Sequence, residues 1–429
     1  MTLKTKNLKL SREDIAKQEI GHTEVAPGLA RVITIIFLIM VVAVPCFQNA
    51  EMFQKLRWSG VEQAWREKSS GIFKRCITAN AALLKEMNIY EDGLEESSIL
   101  RMKLLGPVQQ AMLRFLGQGN EKVYPGNDGW LYFRPGVDYV TGPGFLEQWL
   151  IRKRRLSGNE YTLPPQPDPR KAILQFHHQL EKEGIMLIVV PVPGKASVHP
   201  EFLMSCFGAG QHLFQNASFD CFKRELEAAG VRIFDPVPVF EELIGFSGMP
   251  QYLRGDTHWK PGAMEAIAKR LSAYIEREVE LQPRRAAYKR RQVRVSHVGD
   301  LVLALNLPED QHLFAKEDIS IRQVYDGRSG NLWGPIRSAE VLVLGDSFSN
   351  IYSLDTMRWG ESAGFVEQIS YFLQRPVDAI IQNNDGAHAT RRMLYRQLER
   401  DPGRLTGKKV VIWQFAEREL SEGDWRVTR

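Results

Sequence analysis

The sequence predicts an α/β protein: a mostly parallel sheet flanked by helices, preceded by one N-terminal transmembrane helix and a helical neck. Three observations carry that reading. Short apolar runs, among them Ile185–Pro193, Val341–Leu344 and Val410–Phe415, are separated by stretches of helical length, the alternation that builds parallel sheets. Near the N-terminus, Val32–Phe47 is apolar without a single charge. Between these regions, residues 51–120 carry many charges and few turn signals.

The bulk numbers set the frame. A chain of 429 residues, 44% hydrophobic and 25% charged, has room for one large domain with extensions and is not a disordered polymer. Its net charge of +5 is a modest basic bias, suited to an acidic polymer or a membrane surface and making no demand for nucleic acid. The four cysteines, Cys46, Cys76, Cys206 and Cys221, form no C-x-x-C pair, so zinc-knuckle and thioredoxin-type chemistry have no support. Cys206 and Cys221 bracket a short loop and are either paired in an oxidising compartment or free thiols.

In chain order, residues 1–28 form a polar tail of mixed charge. Residues 29–48 just reach bilayer-spanning length, and the basic residues before them place the tail in the cytoplasm and the rest outside. A cleaved signal peptide and a buried soluble helix are the rivals; the long polar lead-in favours an uncleaved anchor. Residues 49–120 read as the helical neck, with Gly106–Pro107 as a break. The main domain, 121–429, opens with Tyr124–Gly136, a turn, a short aromatic strand and another turn. Helix Arg170–Glu183 then leads to strand Ile185–Pro193, and helix Phe219–Ala229 to strand Val231–Pro236. Helix Pro261–Ile275 has proline at its first position. A basic insertion at about 280–340 precedes strands Val341–Leu344, Val377–Gln382 and Val410–Phe415. Arg284, Arg285, Arg290 and Arg291 belong to its densest basic run, read as a solvated helix or loop face, or as a rim for a polyanionic polymer.

Two stretches carry chemistry. In Val341–Asn350 an apolar strand ends in Gly345-Asp346-Ser347, where a serine hydroxyl can face a cleft, although the same tripeptide is also an ordinary turn. In Arg254–Gly262, Asp256 and His258 stand two apart in a loop feeding a helix. An aspartate so placed can fix a histidine's tautomer and stabilise its imidazolium; otherwise Asp256 or Thr257 is a helix cap. The remaining histidines show no metal-ligand spacing, so neither a metal nor a cofactor is expected.

Together, Asp256-Thr257-His258-Trp259 and Gly345-Asp346-Ser347-Phe348-Ser349 resemble the signatures of the alginate O-acetyltransferase family, the J- and X-type proteins of bacterial exopolysaccharide acetylation. Asp128-Gly129-Trp130-Leu131-Tyr132, Gly299-Asp300-Leu301 and the strand around Trp413 match in order, and the anchor resembles the J-type member. The resemblance implies an SGNH-hydrolase-like fold, with Ser347 as nucleophile, His258 as general base and Asp256 orienting it. It implies an oxyanion hole from the Ser347 N–H and a second donor, with Tyr352, Asn383 and Asn384 as candidates. The implied reaction moves acetyl groups through an acyl-serine onto an exported exopolysaccharide, alginate-like or cellulose. A polytopic membrane-bound O-acyltransferase would supply acetyl, beside other polysaccharide secretion proteins, and the domain would lie in the periplasm on an inner-membrane anchor. A polysaccharide acetylesterase and a non-catalytic assembly module are the alternatives. In ordinary SGNH enzymes the serine comes first; here acid and base precede it, with one residue between them, which weakens a generic esterase assignment.

Overall fold

A computed structural model describes residues 27–47, 65, 72–73, 76–84, 87 and 99–427, apart from 158–163, 205–212, 284–285 and 384–385. The chain divides into two units, residues 1–105 and 106–429. In the first, the apolar run forms a helix, Pro27–Phe47, with side chains described only as far as Ile39. Among the described residues no helix is long and apolar enough to cross a membrane, so the expected transmembrane helix is not borne out by the part of this run, residues 27–39, whose side chains are described. The break expected at Gly106–Pro107 is absent, because helix Ile99–Leu116 runs through Pro107. Proline removes one backbone donor but keeps helical φ, and Gly106 has no Cβ where Pro308 approaches.

The second unit begins with the expected aromatic turn, a hairpin of β1 (Val123–Pro125) and β2 (Leu131–Phe133). Its centre is a five-stranded sheet. β3 (Met186–Val192) and the short β4 (Arg232–Ile233) form one side, and β7 (Val341–Gly345) and β8 (Asp378–Ile381) the other. β9 (Val410–Ala416) lies between them, giving the order β4-β3-β9-β7-β8. Every neighbouring pair is parallel.

The sequence explains the continuous apolar runs. A parallel sheet has both faces covered, so successive side chains are mostly apolar. Val341 and Val343 pack with one core, whereas Leu342 and Leu344 pack with the other. Val410 and Ile412 likewise face the first, and Val411, Trp413 and Phe415 the second. Helix Pro261–Glu278 buries Ala263, Met264, Ile267, Leu271 and Ile275, a stripe at helical spacing.

From Tyr288 onward the basic stretch is a strand rather than a helix or loop. It forms β5 (Tyr288–His297), paired antiparallel with β6 (Glu317–Asp326) over ten residue pairs. Val293 and Val295 pack against the core on one face, while Gln292, Arg294 and Ser296 on the other are exposed. Arginine density hides this alternation, because a long aliphatic stem can pack while its charge stays solvated. Arg290 packs even its charged head, with the guanidinium carbon 4.0 Å from the Tyr371 ring centre.

Candidate active site

The C-terminal ends of β3, β9 and β7 bring the two chemical stretches together. Such ends, where the helices that follow leave room, are the usual ligand site of open parallel sheets. After β7 the chain turns at Asp346, and Ser347 begins a short helical turn, Ser347–Asn350. Asp346 fixes this elbow: its Oδ1 accepts from Phe348 N at 2.9 Å and Gln414 Nε2 at 2.8 Å, and its Oδ2 from Ala416 N at 2.7 Å. Gln414 Oε1 also accepts from Ser349 Oγ at 2.6 Å. A Cβ at Gly345 would lie 2.4 Å from Ser349 Oγ, so the strand must end in glycine for the turn to close.

The Arg254–Trp259 loop supplies the partners. His258 Nε2 lies 2.9 Å from Ser347 Oγ, and His258 Nδ1 lies 2.7 Å from Asp256 Oδ1. Asp256 and His258 are buried, and Ser347 is half-buried. The second Asp256 oxygen accepts from Trp359 Nε1 at 2.8 Å and from the Asp300 backbone N–H at 2.9 Å. Burial alone would raise the Asp256 carboxyl, but hydrogen bonds from His258, Trp359 and Asp300 hold it well below the usual carboxylate range. Burial pulls His258 down, yet the hydrogen bond and charge of Asp256 outweigh it and leave the imidazole above its ordinary value. The Phe348 ring stands edge-on to the imidazole with centres 4.8 Å apart, and Trp259 Nε1 donates to Phe348 O at 3.2 Å.

This geometry permits one course of chemistry: a serine hydroxyl hydrogen-bonded to an imidazole whose far nitrogen is held by an ionised carboxylate. With His258 bonded through both nitrogens, its tautomer is set, N–H towards Asp256 and lone pair towards Ser347. Asp256, His258 and Asp300 also form a cluster with metal-ligand spacing, as do His177, His178 and Glu181 on the exposed side of a helix. In the first, both His258 nitrogens already have protein partners.

The other sequence candidates fall in different places. Tyr352 is fully buried and its hydroxyl donates to Trp259 O at 2.5 Å, so its proton is committed to the loop rather than to a substrate oxygen. Asn383 follows β8, with its Oδ1 accepting from Asn350 Nδ2 at 2.9 Å; Asn384 lies outside the described residues. The Ser347 N–H, at the first position of its turn, has no intrahelical partner. Arg290 is tied to Glu265 at 3.2 Å and Gln368 at 3.1 Å, and Arg291 to Gln323 at 2.9 Å. Arg284 and Arg285 lie outside the described residues. So does Cys206; Cys221 is exposed as a free thiol.

Sequence reasoning missed Trp359, Gln414 and the position of Asp300. Gly299-Asp300-Leu301 was visible as a motif, but Trp359 and Gln414 carry no local signal for the hydrogen bonds they make across the fold.

The chain is similar to known proteins. The chain is 24% identical over 322 residues to the probable alginate O-acetylase AlgJ of Pseudomonas aeruginosa, covering 71% of each chain. It is 27% identical over 296 residues to the protein of the same name from Pseudomonas syringae pv. tomato, covering 67% of this chain and 70% of that one. The solved O-acetyltransferase domain of Pseudomonas putida AlgJ shares the fold, with a TM-score of 0.51 and 21% identity over 70% of this chain and 92% of that one. The family described as SGNH hydrolase-like domain, acetyltransferase AlgX, matches residues 146–417, a span that holds the whole sheet and the serine, histidine and aspartate at its C-terminal edge, and the chain belongs to that family.

Proposed function

We propose that this protein transfers acetyl groups through an acyl-serine onto hydroxyls of an exported polysaccharide. The observation that carries the reading is the continuous hydrogen-bonded line from Ser347 Oγ through His258 to Asp256. The names of the relatives, alginate O-acetylases, supply the acceptor class.

In the first half-reaction Ser347 Oγ attacks the carbonyl carbon of a donor acetyl ester while His258 Nε2 takes the serine proton. The buried Asp256 carboxylate stabilises the imidazolium. The oxyanion is met by the Ser347 N–H and, as second donor, the side-chain amide of Asn383, which gives one N–H to Met357 Sδ at 3.2 Å and keeps a second to give. His258 then returns the proton to the leaving donor oxygen. In the second half-reaction a sugar hydroxyl gives its proton to His258 and attacks the acetyl carbon; the bond to Ser347 Oγ breaks, and His258 returns the proton to Oγ to restore the serine. The helix Pro27–Phe47 is proposed to anchor the protein in the inner membrane, with the domain in the periplasm and a polytopic O-acyltransferase presenting the acetyl group. The run is charge-free from Val32 to Phe47, which supports that assignment.

Ser347→Ala and, separately, His258→Ala should leave a folded protein and lower acetylation of the polymer by at least about a thousandfold. Normal acetylation by folded Ser347→Ala protein would replace this reading with a non-catalytic assembly role. Supplying the wild-type protein with an acetyl ester, with and without oligosaccharide, separates transfer from hydrolysis. Acetylated sugar is the expected product, and hydrolysis indifferent to sugar would make the protein an esterase.

A further inference from the structure

A second carboxylate stands beside the base. The 299–301 segment is locked to the 254–258 loop backbone to backbone. Gly299 adopts φ of +97°, and a Cβ there would lie 2.2 Å from Gly255 O. The Asp300 N–H donates to Asp256 Oδ2 at 2.9 Å, and Thr257 N–H donates to Asp300 Oδ1 at 2.7 Å. These contacts leave Asp300 Oδ2 at 3.8 Å from His258 Nδ1, the same ring nitrogen that Asp256 meets at 2.7 Å. Asp256 carries the direct hydrogen bond; Asp300 adds charge without one.

We propose that Asp300 is a positioning residue that sets the basicity of His258: as an anion it favours the imidazolium that forms when Ser347 releases its proton. Its catalytic consequence rests on the serine–histidine reading above, whereas the electrostatic effect on the imidazole does not. The electrostatics agree. Burial and the neighbouring Asp256 charge push the Asp300 carboxyl above its usual range, a rise tempered by solvent because 44% of its side chain is open. The Asp300 charge acts on His258 in the same upward direction as Asp256 and Asp346. The other groups facing this cluster are the buried Lys195, the Lys260–Glu317 pair at 3.9 Å, and His297, whose Nδ1 accepts from Gly299 N at 3.1 Å. Of these, Lys195 also feels the Asp300 charge, which works against burial to hold its ammonium up, so the His258 ring itself is the group to be read.

Asp300→Asn removes the charge and keeps an oxygen for the Thr257 N–H. A unit charge about 4 Å away in a solvent-screened setting is worth somewhat under one pH unit of titration. Titration of the His258 ring by NMR in the full chain, comparing Ser347→Ala with Ser347→Ala/Asp300→Asn, should show its pKa fall by about half to one unit. With Ser347 present, the acid limb of kcat/KM for p-nitrophenyl acetate hydrolysis should move to lower pH by the same amount. An unmoved His258 titration in folded Asp300→Asn protein overturns the proposal, even if activity falls, because that result leaves Asp300 only a packing role. Should Asp300→Asn not fold, Asp300→Ser removes the same charge with a smaller acceptor and is read in the same way. The titration needs no acetyl substrate, so its failure is distinct from a failure of the transfer reading, which would show as an inactive wild-type protein with a normal His258 shift.

Discussion

After His258, Trp359 is the side chain that does most to hold the Asp256 carboxylate ionised. It is fully buried and donates to the Asp256 oxygen that His258 does not use. Trp359→Phe keeps the ring volume roughly but leaves one buried carboxylate lone pair without its donor, a cost of about 1–3 kcal/mol. The sign with pH follows from the depressed Asp256 carboxyl. The unfolded chain takes up that proton near the ordinary value of about 4 and the folded chain resists it, so the stabilisation is full above that pH and is lost as pH falls. Losing the Trp359 donor raises the folded value towards the unfolded one. Urea midpoints measured from about pH 3 to 7 should therefore show Trp359→Phe less stable at neutral pH, with the difference from wild type shrinking in acid. At this scale the sequence was most informative where chemistry needs near neighbours. Asp256 and His258 are two residues apart and Ser347 ends an apolar strand, so each has a local signature. Trp359 is 103 residues from Asp256, and no local pattern predicts an indole N–H aimed at a distant carboxylate.

Among the elements, helix Phe365–Leu373 shows how a buried acid can be tolerated beside the site. Its Glu367 is buried and accepts from Ser353 Oγ at 2.8 Å, and burial pushes its carboxyl up to about 7. The folded chain therefore holds a proton that the unfolded chain releases near 4.5, so stability falls as pH rises between those two values. Glu367→Gln removes this dependence while keeping an oxygen for Ser353. Thermal melts should show the variant matching wild type near pH 4.5 and gaining on it by up to about 3 kcal/mol above pH 7. The elements also show where sequence patterns mislead. Strands β3, β7 and β9 were legible because burial on both faces demands unbroken apolar runs. β5 was not, because a half-exposed strand rich in arginine looks like a solvated face unless Val293 and Val295 are weighed above the charges around them. Helix Ile99–Leu116 was divided in the sequence reading because proline and glycine are strong local breakers, and a single lost backbone bond did not end it.

On the scale of the whole molecule, residues 106–429 contain both sheet cores and every described member of the site. A chain beginning at residue 99 should fold and hydrolyse p-nitrophenyl acetate at a rate within about threefold of the full chain. The full chain should sediment with membranes and the shortened one should not; equal sedimentation of the two would remove the proposed anchoring role of Pro27–Phe47. The fold class was legible at this scale because alternation of strand and helix lengths is a property of the entire domain. The strand order was not, since nothing in a single strand states which neighbour it joins.

That order has a consequence for how the protein is made. β9 occupies the middle of the sheet, between β3 and β7, and its Gln414 and Ala416 hold the Asp346 elbow, yet it follows every other strand of the sheet in the chain. A polypeptide growing from its N-terminus must keep β3 and β7 apart, or only loosely joined, until residue 416 has emerged. The elbow that carries Ser347 therefore gains its Gln414 and Ala416 hydrogen bonds only after β9 has been made. A chain stopped before residue 414 would carry Ser347, His258 and Asp256 without the β9 contacts that hold the Asp346 elbow.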